Sequence, residues 1–297
     1  MSFSKWLLVN NLLFYVGSRG GDMIVGNRAG ASALGTYTVS LELANLPTTE
    51  MVWPVMRAVF PGYAMMAEDS QRLAAGFLKV FSMVLLFAVP ASTGIALLAE
   101  PLVAVLLGAR WHEAIPLVTV LAVYGGVRAA QANTNSVYMT MNRPQYAAGI
   151  GLLNVVLELG LFGLALTRVP IAQAAWMLVL GSAVGAVLNW TLLTRLLRLE
   201  VRRLFGALVR PALGAAIMAA VLVPLQATLW RGPSDITSMA LVLLLLVGAG
   251  SGVYLATMLA LWALRGRPTG SPEHAILATM FAALRRPKPT TGAASEH

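Results

Sequence analysis

The chain has 297 residues, of which 58% are apolar and only 11% charged, with a net charge of +9. Soluble domains carry roughly 25% charged residues, so a water-soluble globule is excluded: this chain could not cover its own apolar surface with polar groups. Cysteine is absent and the three histidines (His112, His274, His297) are scattered, which excludes a disulfide framework and a Cys/His metal cluster; the positive charge reads as the loop charge of a membrane protein, not as a nucleic-acid footprint.

A bilayer span needs roughly 20 mostly apolar residues, and the sequence offers eight candidates in chain order. Span A covers about 5–27 and span B about 33–60. Span C covers about 76–98 and is followed by a short apolar hook at 101–108. Spans D, E and F cover about 114–140, 145–166 and 170–194, and G and H about 208–229 and 236–264. The first apolar run, Trp6 to Val16, leads into Gly-Ser-Arg-Gly-Gly-Asp, not a small-residue cleavage site, so it reads as a span and not as a secretion signal. Residues 266–297 read as a polar tail, with the amphipathic stretch His274 to Arg286 suited to a membrane surface. The expected fold class is therefore all-α integral membrane, with about eight transmembrane helices. A membrane barrel would alternate apolar and polar residues at every second position, and the long Leu/Ala/Val runs do not.

Charge orients this bundle. With the N-terminus in the cytoplasm and alternating spans, the inside loops and span ends collect fifteen Lys and Arg, among them Arg195, Arg198, Arg202 and Arg203; the outside loops collect Arg28, Arg110, Arg168 and Arg231. Fifteen against four obeys the positive-inside rule. It implies an even number of spans with both termini cytoplasmic.

Charged groups at membrane depth are costly and usually face a bundle interior or a wet cavity. Span A carries Asn11, Tyr15, Ser18 and Asp22 on one helical face, with Arg19 beside it and three residues from Asp22. Span D carries Tyr124, Arg128, Gln131, Asn135 and Tyr138, a polar stripe in steps of four, three, four and three. Span B adds Glu42, Asn45 and Thr49, and span E adds Asn154 and Glu158. Two readings are open. The stripes line one hydrophilic cavity, whose arginines suit an anionic substrate; or Arg19–Asp22 and Arg128–Glu158 are ion pairs that fix helix packing. Five polar residues in a row on span D exceed what packing needs. Pro47, Pro54 and Pro90 interrupt spans B and C and should kink them. Gly125-Gly126 reads as a hinge or a close helix contact. No phosphate loop, nucleophile elbow, zinc motif or dinucleotide fingerprint is present, so no cofactor and no enzymatic chemistry are expected. Glu68 and Asp69, adjacent in a short loop, read as surface charge.

The stretch Arg19-Gly-Gly-Asp22-Met-Ile-Val-Gly26-Asn-Arg-Ala-Gly30-Ala-Ser-Ala-Leu-Gly35-Thr-Tyr37 resembles the polysaccharide-type flippases of the multidrug/oligosaccharidyl-lipid/polysaccharide exporter superfamily. So do Leu43-Ala-Asn-Leu-Pro47, Pro54, Val59-Phe60-Pro61, Leu97-Leu-Ala-Glu100-Pro101, Leu106-Leu-Gly108 with Trp111, and Met141-Asn-Arg143-Pro144. The motifs are loose, but their order and spacing cover roughly residues 5 to 200. The resemblance implies translocation of undecaprenyl-pyrophosphate-linked oligosaccharide across the bacterial inner membrane, for O-antigen, capsule or exopolysaccharide assembly. It also implies two six-helix lobes around a central cavity. The matched motifs belong to the second lobe, so residues 1–200 would form that lobe, 201–265 two additional helices and 266–297 a cytoplasmic tail. The chain would then be truncated or split, working with a separate N-terminal lobe or a second copy. Span A fits this: Arg19 and Asp22 would make it a costly first helix to insert. The implied cavity residues are Asn11, Tyr15, Arg19, Asp22, Glu42, Tyr124, Arg128, Gln131, Asn135 and Glu158, and the partners are lipid-linked oligosaccharide and membrane lipids, not nucleic acid. The alternatives are a cation-coupled drug exporter of the same superfamily, which would want a carboxylate-rich cavity, and a membrane glycosyltransferase or ligase, for which the longest outward segment, 99–113 with Glu100, His112 and Glu113, is thin.

Overall fold

The computed structural model describes residues 3–66, 68–230 and 235–264. The expected tail, with the amphipathic stretch His274 to Arg286, lies outside the described residues. Helices α1 (Phe3–Pro47), α2 (Trp53–Ala64), α3 (Ser70–Leu97), α4 (Ala99–Leu106), α5 (Ile115–Thr140), α6 (Pro144–Ala165), α7 (Ile171–Ala174), α8 (Trp176–Leu197), α9 (Val201–Leu229) and α10 (Ile236–Leu264) follow in order. The protein is an all-helical bundle, and among the described residues six helical segments are long and apolar enough to cross a membrane: 70–97, 109–140, 144–165, 171–197, 201–229 and 236–264. These coincide with spans C to H.

Spans A and B differ from the other six. They form one helical run, α1, broken at Gly30 (φ 85°, ψ 177°). That conformation is essentially closed to residues with a Cβ, so the glycine marks the boundary between the two spans. Neither arm reaches the apolarity of the other six, because Asn10, Asn11, Ser18, Arg19 and Asp22 dilute the first and Glu42, Asn45 and Thr49 the second. Span B is also not one helix to residue 60. Between Pro47 and Pro54 the chain widens into a π-helical turn, Thr48–Val52, before α2 restarts. Two prolines in eight residues remove backbone donors, and a wide turn is one way to relieve this.

Helix α5 is the axis. Over its most apolar stretch 56% of residues are buried, against 22% for α10 at the periphery. It packs against α1, α3 and α8, and α6 closes the gap between α1 and α8. One apolar core joins α2, α3, α5 and α8 through Phe77, Phe81, Leu85, Val137 and Leu193. A second joins α1, α5, α6 and α8 through Val25, Tyr37, Leu121, Phe162 and Leu178. Glycines set the closest approaches. A Cβ on Gly181 of α8 would lie 2.9 Å from the Glu158 backbone of α6, and one on Gly125 of α5 3.3 Å from the Ala44 carbonyl oxygen of α1. Gly126 sits equally close to Ser92 of α3. The Gly125-Gly126 pair is thus a close helix contact, of the small-residue kind that membrane bundles use.

Helices α9 and α10 pair with each other and lean on α3 and α4 through Leu98, Met218, Leu222, Leu246 and Met258. Two polar ties fix them. The Trp230 indole donates to Glu100 Oε1 (3.1 Å). The Tyr254 hydroxyl of α10 donates to the Leu86 carbonyl (2.8 Å). Leu86 stands four residues before Pro90, which has no N–H to offer it. The tyrosine therefore satisfies the carbonyl that Pro90 leaves without its helical N–H. At the other end of α3, Asp69 caps the helix by accepting from the Gln71 and Arg72 backbone N–H groups (3.0 and 3.1 Å) and pairs with Arg72.

Two outcomes are expected in thermal unfolding of the purified protein in detergent. Tyr254→Phe should cost about 1 kcal/mol, and that cost should largely vanish in a Pro90→Ala background, where the helix carbonyl regains its own N–H. Gly181→Ala should cost about 1–3 kcal/mol because its methyl meets backbone. Gly149→Ala, with nothing within 4 Å, should be neutral or stabilising by up to about 1 kcal/mol.

Candidate functional site

A cavity of about 480 Å³ lies between α1, α5, α6 and α8, with the π-helical turn and the start of α2 at its side. Its deep end is charged. Arg128 of α5 donates from Nη1 to the Tyr124 hydroxyl (3.1 Å), and that hydroxyl donates to Glu158 Oε2 of α6 (2.7 Å). Tyr124 and Glu158 are each only 4% exposed. Arg128 and Glu158 are therefore linked through tyrosine, not as the direct ion pair that the sequence left open. The guanidinium also lies 5.5 Å from the Tyr124 ring centroid, a cation–π distance. One hydroxyl thus serves a cation and an anion, while Arg128 keeps donors for the cavity it lines.

From this end a polar seam runs along α5. Gln131 donates from Nε2 to the Ser182 carbonyl and hydroxyl of α8 (3.2 Å each) and accepts from Asn154 Nδ2 of α6 (3.3 Å). One turn on, Asn189 of α8 donates to Thr134 Oγ1 and accepts from the Tyr138 hydroxyl, both at 2.8 Å. On the opposite side of α5, the Tyr63 hydroxyl of α2 donates to Asn133 Oδ1 (2.8 Å), and Asn133 donates to the Phe77 carbonyl. Ser182, Thr134, Asn133 and Asn189 are all buried. Buried polar groups of this kind need such partners, and here the partners hold α8 and α6 at fixed register on α5.

The residues expected from sequence divide cleanly. Arg128, Gln131, Asn135 and Glu158 line the cavity, and Tyr124 supports Arg128 from behind it. Asn11, Tyr15, Arg19, Asp22 and Glu42 do not line it. Asn11, Tyr15, Arg19 and Glu42 are exposed, and Arg19 pairs with Asp22 at 3.3 Å. The cavity face of α1 is instead Asn10, Leu13, Phe14, Gly17 and Ser18. Asn10 donates to the Pro144 carbonyl (3.2 Å), which ties α1 to the start of α6. One residue of sequence turns a helix by 100°, so two adjacent asparagines point to different surroundings. Sequence reading also missed the α8 partners Ser182 and Asn189, which lie seven apart on one face of an otherwise apolar helix; that spacing was the available signal. Trp53 and Phe14, which also line the cavity, carry no sequence signal that separates them from lipid-facing aromatics.

Comparison with known proteins bears on this architecture. Residues 1–116 match the family model described as "Polysaccharide biosynthesis protein". The teichuronic acid biosynthesis protein TuaB of Bacillus subtilis (strain 168) is 25% identical over 224 residues, covering 74% of this chain and 46% of TuaB. The succinoglycan biosynthesis transport protein ExoT of Rhizobium meliloti (strain 1021) is 24% identical over 125 residues, 42% of this chain and 25% of ExoT. Among solved structures, the lipid II flippase MurJ in its inward closed conformation superposes with a TM-score of 0.63 at 15% identity, over 87% of this chain and 52% of MurJ, a likeness of fold. The chain spans about half or less of the length of each of these proteins. In sequence it is similar to polysaccharide biosynthesis proteins, and its helical bundle is similar in fold to that of MurJ.

Proposed function

We propose that this chain is one lobe of a translocator that carries undecaprenyl-pyrophosphate-linked oligosaccharide across the bacterial inner membrane, supplying O-antigen, capsule or exopolysaccharide assembly. The observation that carries this reading is Arg128, held by a buried tyrosine at the end of a cavity of mixed polar and apolar lining, inside helices apolar enough to cross a membrane. A planar guanidinium with donors to spare matches phosphate oxygens. The amide and hydroxyl lining beyond it suits a saccharide. The polysaccharide names of the sequence relatives and the lipid-linked cargo in the name of MurJ support the same assignment.

In this reading the chain moves its cargo without covalent chemistry. Glu100, a carboxylate that an outward-facing enzyme site would need, is held by Trp230. With both termini cytoplasmic, the cavity residues of α1, the C-terminal half of α5 and the first half of α6 lie toward the cytoplasmic side. Residues 1–200 act as the lobe, and 201–265 as two added helices that brace α3 and α4. The exposed polar face of α1, with Asn11, Tyr15 and Arg19, faces a partner: a separate lobe or a second copy of the chain. An arginine left in lipid at membrane depth costs at least about 2.5–3.5 kcal/mol, and a partner lobe would relieve that cost. One lobe alone has no opposite wall to rock against.

The test is a chromosomal Arg128→Ala substitution in the native strain. Export of the lipid-linked polysaccharide should fall at least tenfold with the protein present at normal level, and Arg128→Lys should restore only part of it, since an ammonium lacks the bidentate fork. Undiminished export at normal protein level would remove Arg128 from the transport path. Tyr124→Phe, which leaves the guanidinium in place but unbridged to Glu158, should show a smaller loss in the same assay.

A further inference from the structure

The cavity has a second chemical end. Asn10 of α1 meets Pro144 of α6, and Gly17 and Gly20 pack against Val155 and Leu159. Phe14 therefore lies about one and a half helical turns from the level of Glu158 and Arg128, toward the start of α6. There it meets Trp53, ring centroids 5.9 Å apart and planes at 83°. Both rings line the cavity and both are about half exposed, 53% and 43%. Neither is spent on the core of the bundle.

Around this pair the polar groups are neutral. Thr49 precedes Trp53 by four residues and reaches the cavity from the π-helical turn, and Asn135 of α5 completes the rim, while Asn45 lies beside Gly125 at the Arg128 end. A π turn inside a helical run is often found at functional sites. The Thr49 hydroxyl donates to the backbone of its own helix and so presents its lone pairs. Among the described residues the amide of Asn135 makes no hydrogen bond, so it offers both donors and an acceptor. The cavity's two charged groups, Arg128 and Glu158, stand at the other end.

This division selects among occupants. A lipid tail would cover the aromatic rings but strand the Asn135 amide. A cation would want a carboxylate beside the rings, and none lines that end. A sugar ring has one C–H face and an edge of hydroxyls that both donate and accept, which matches an aromatic face rimmed by an amide and a hydroxyl. We infer that the Phe14–Trp53 pair is a saccharide platform, on which a pyranose ring of the cargo lies against Trp53 while its hydroxyls bond Thr49 and Asn135. The inference rests on the lipid-linked saccharide reading above. It adds that the headgroup binds with its pyrophosphate toward Arg128 and its first sugars toward α2.

The full chain in lipid nanodiscs tests it by equilibrium binding of two probes: undecaprenyl pyrophosphate, and the same lipid carrying one N-acetylglucosamine. The wild type should bind the sugar-bearing probe roughly tenfold more tightly. Trp53→Ala should bring the two affinities together without weakening the bare lipid, Trp53→Tyr should keep most of the preference, and Arg128→Ala should weaken both probes. If Trp53→Ala proves unfolded by its melting profile, Trp53→Leu, which keeps bulk but no aromatic face, gives the same comparison. A wild-type preference that survives loss of the aromatic ring, or no preference at all, overturns the platform, while the lipid pyrophosphate reading stands as long as Arg128→Ala weakens binding. Binding of neither probe overturns both.

Discussion

An arginine and a glutamate sit among helices built for lipid, and most of the interior follows from how that cost is met. Glu158 is almost fully buried and Arg128 partly so. Either charge alone at this depth would be expensive. Tyr124 resolves it by standing between them, donating to the carboxylate and accepting from the guanidinium. A direct pair would have used Arg128's donors on Glu158. The relayed arrangement neutralises the site while keeping the cation turned to the cavity. It also requires α5 and α6 to hold one register, because Tyr124 and Arg128 come from one and Glu158 from the other.

That register is held by two devices. Glycines let α8 touch the α6 backbone: Gly181 against Glu158 itself, and Gly185 against the Asn154 side chain. The amide seam of Gln131, Asn154, Ser182, Thr134 and Asn189 then locks α5, α6 and α8 to one another. In a membrane, apolar contact does not discriminate between helix and lipid, so close packing and hydrogen bonds must provide the specificity. On the other side α1 packs on α6 as closely as α8 does, with Gly17 and Gly20 against Val155 and Leu159, and the cavity lies between these helices and α5. The Tyr254–Leu86 bond ties α10 to α3 and spares α3 an unpartnered carbonyl in an apolar setting.

Much of this was legible in sequence. Helix boundaries from span C onward fell within several residues because apolar runs, prolines and glycines punctuate them. The α5 stripe was legible because five polar residues recur at helical spacing in an apolar helix. On α1 the structure places the expected stripe differently, for a geometric reason. Asn10 and Asn11 differ by 100° of rotation, and nothing in a single sequence says which of two neighbouring stripes faces inward. Of the stripe Asn11, Tyr15, Ser18 and Asp22 only Ser18 lines the cavity, whose α1 face otherwise runs through Asn10, Phe14 and Gly17. The π turn was illegible for a related reason: prolines at 47 and 54 announce a disruption, yet not whether it kinks, breaks or widens the helix.

The exposed α1 stripe still has a physical meaning. Arg19 is 60% exposed and its partner Asp22 18%, and exposed pairs are worth little by themselves. Internal stability therefore does not explain why such residues lie on a helix whose neighbours are among the most apolar in the chain. A surface that is polar at membrane depth makes sense only against water or another polar surface. The inner cavity and this outer stripe lie on adjoining faces of one helix, so α1 separates two polar zones. A cargo headgroup engaging both would have to contact α1 from two sides. The arms of α1 differ in what they can contribute to that. Before Gly30 the helix carries both stripes, and after it, Asn45 and the π turn bring only the inner one. On the two-lobe proposal, the first arm of α1 is the segment whose position relative to a facing lobe would decide which of the two zones a headgroup can reach.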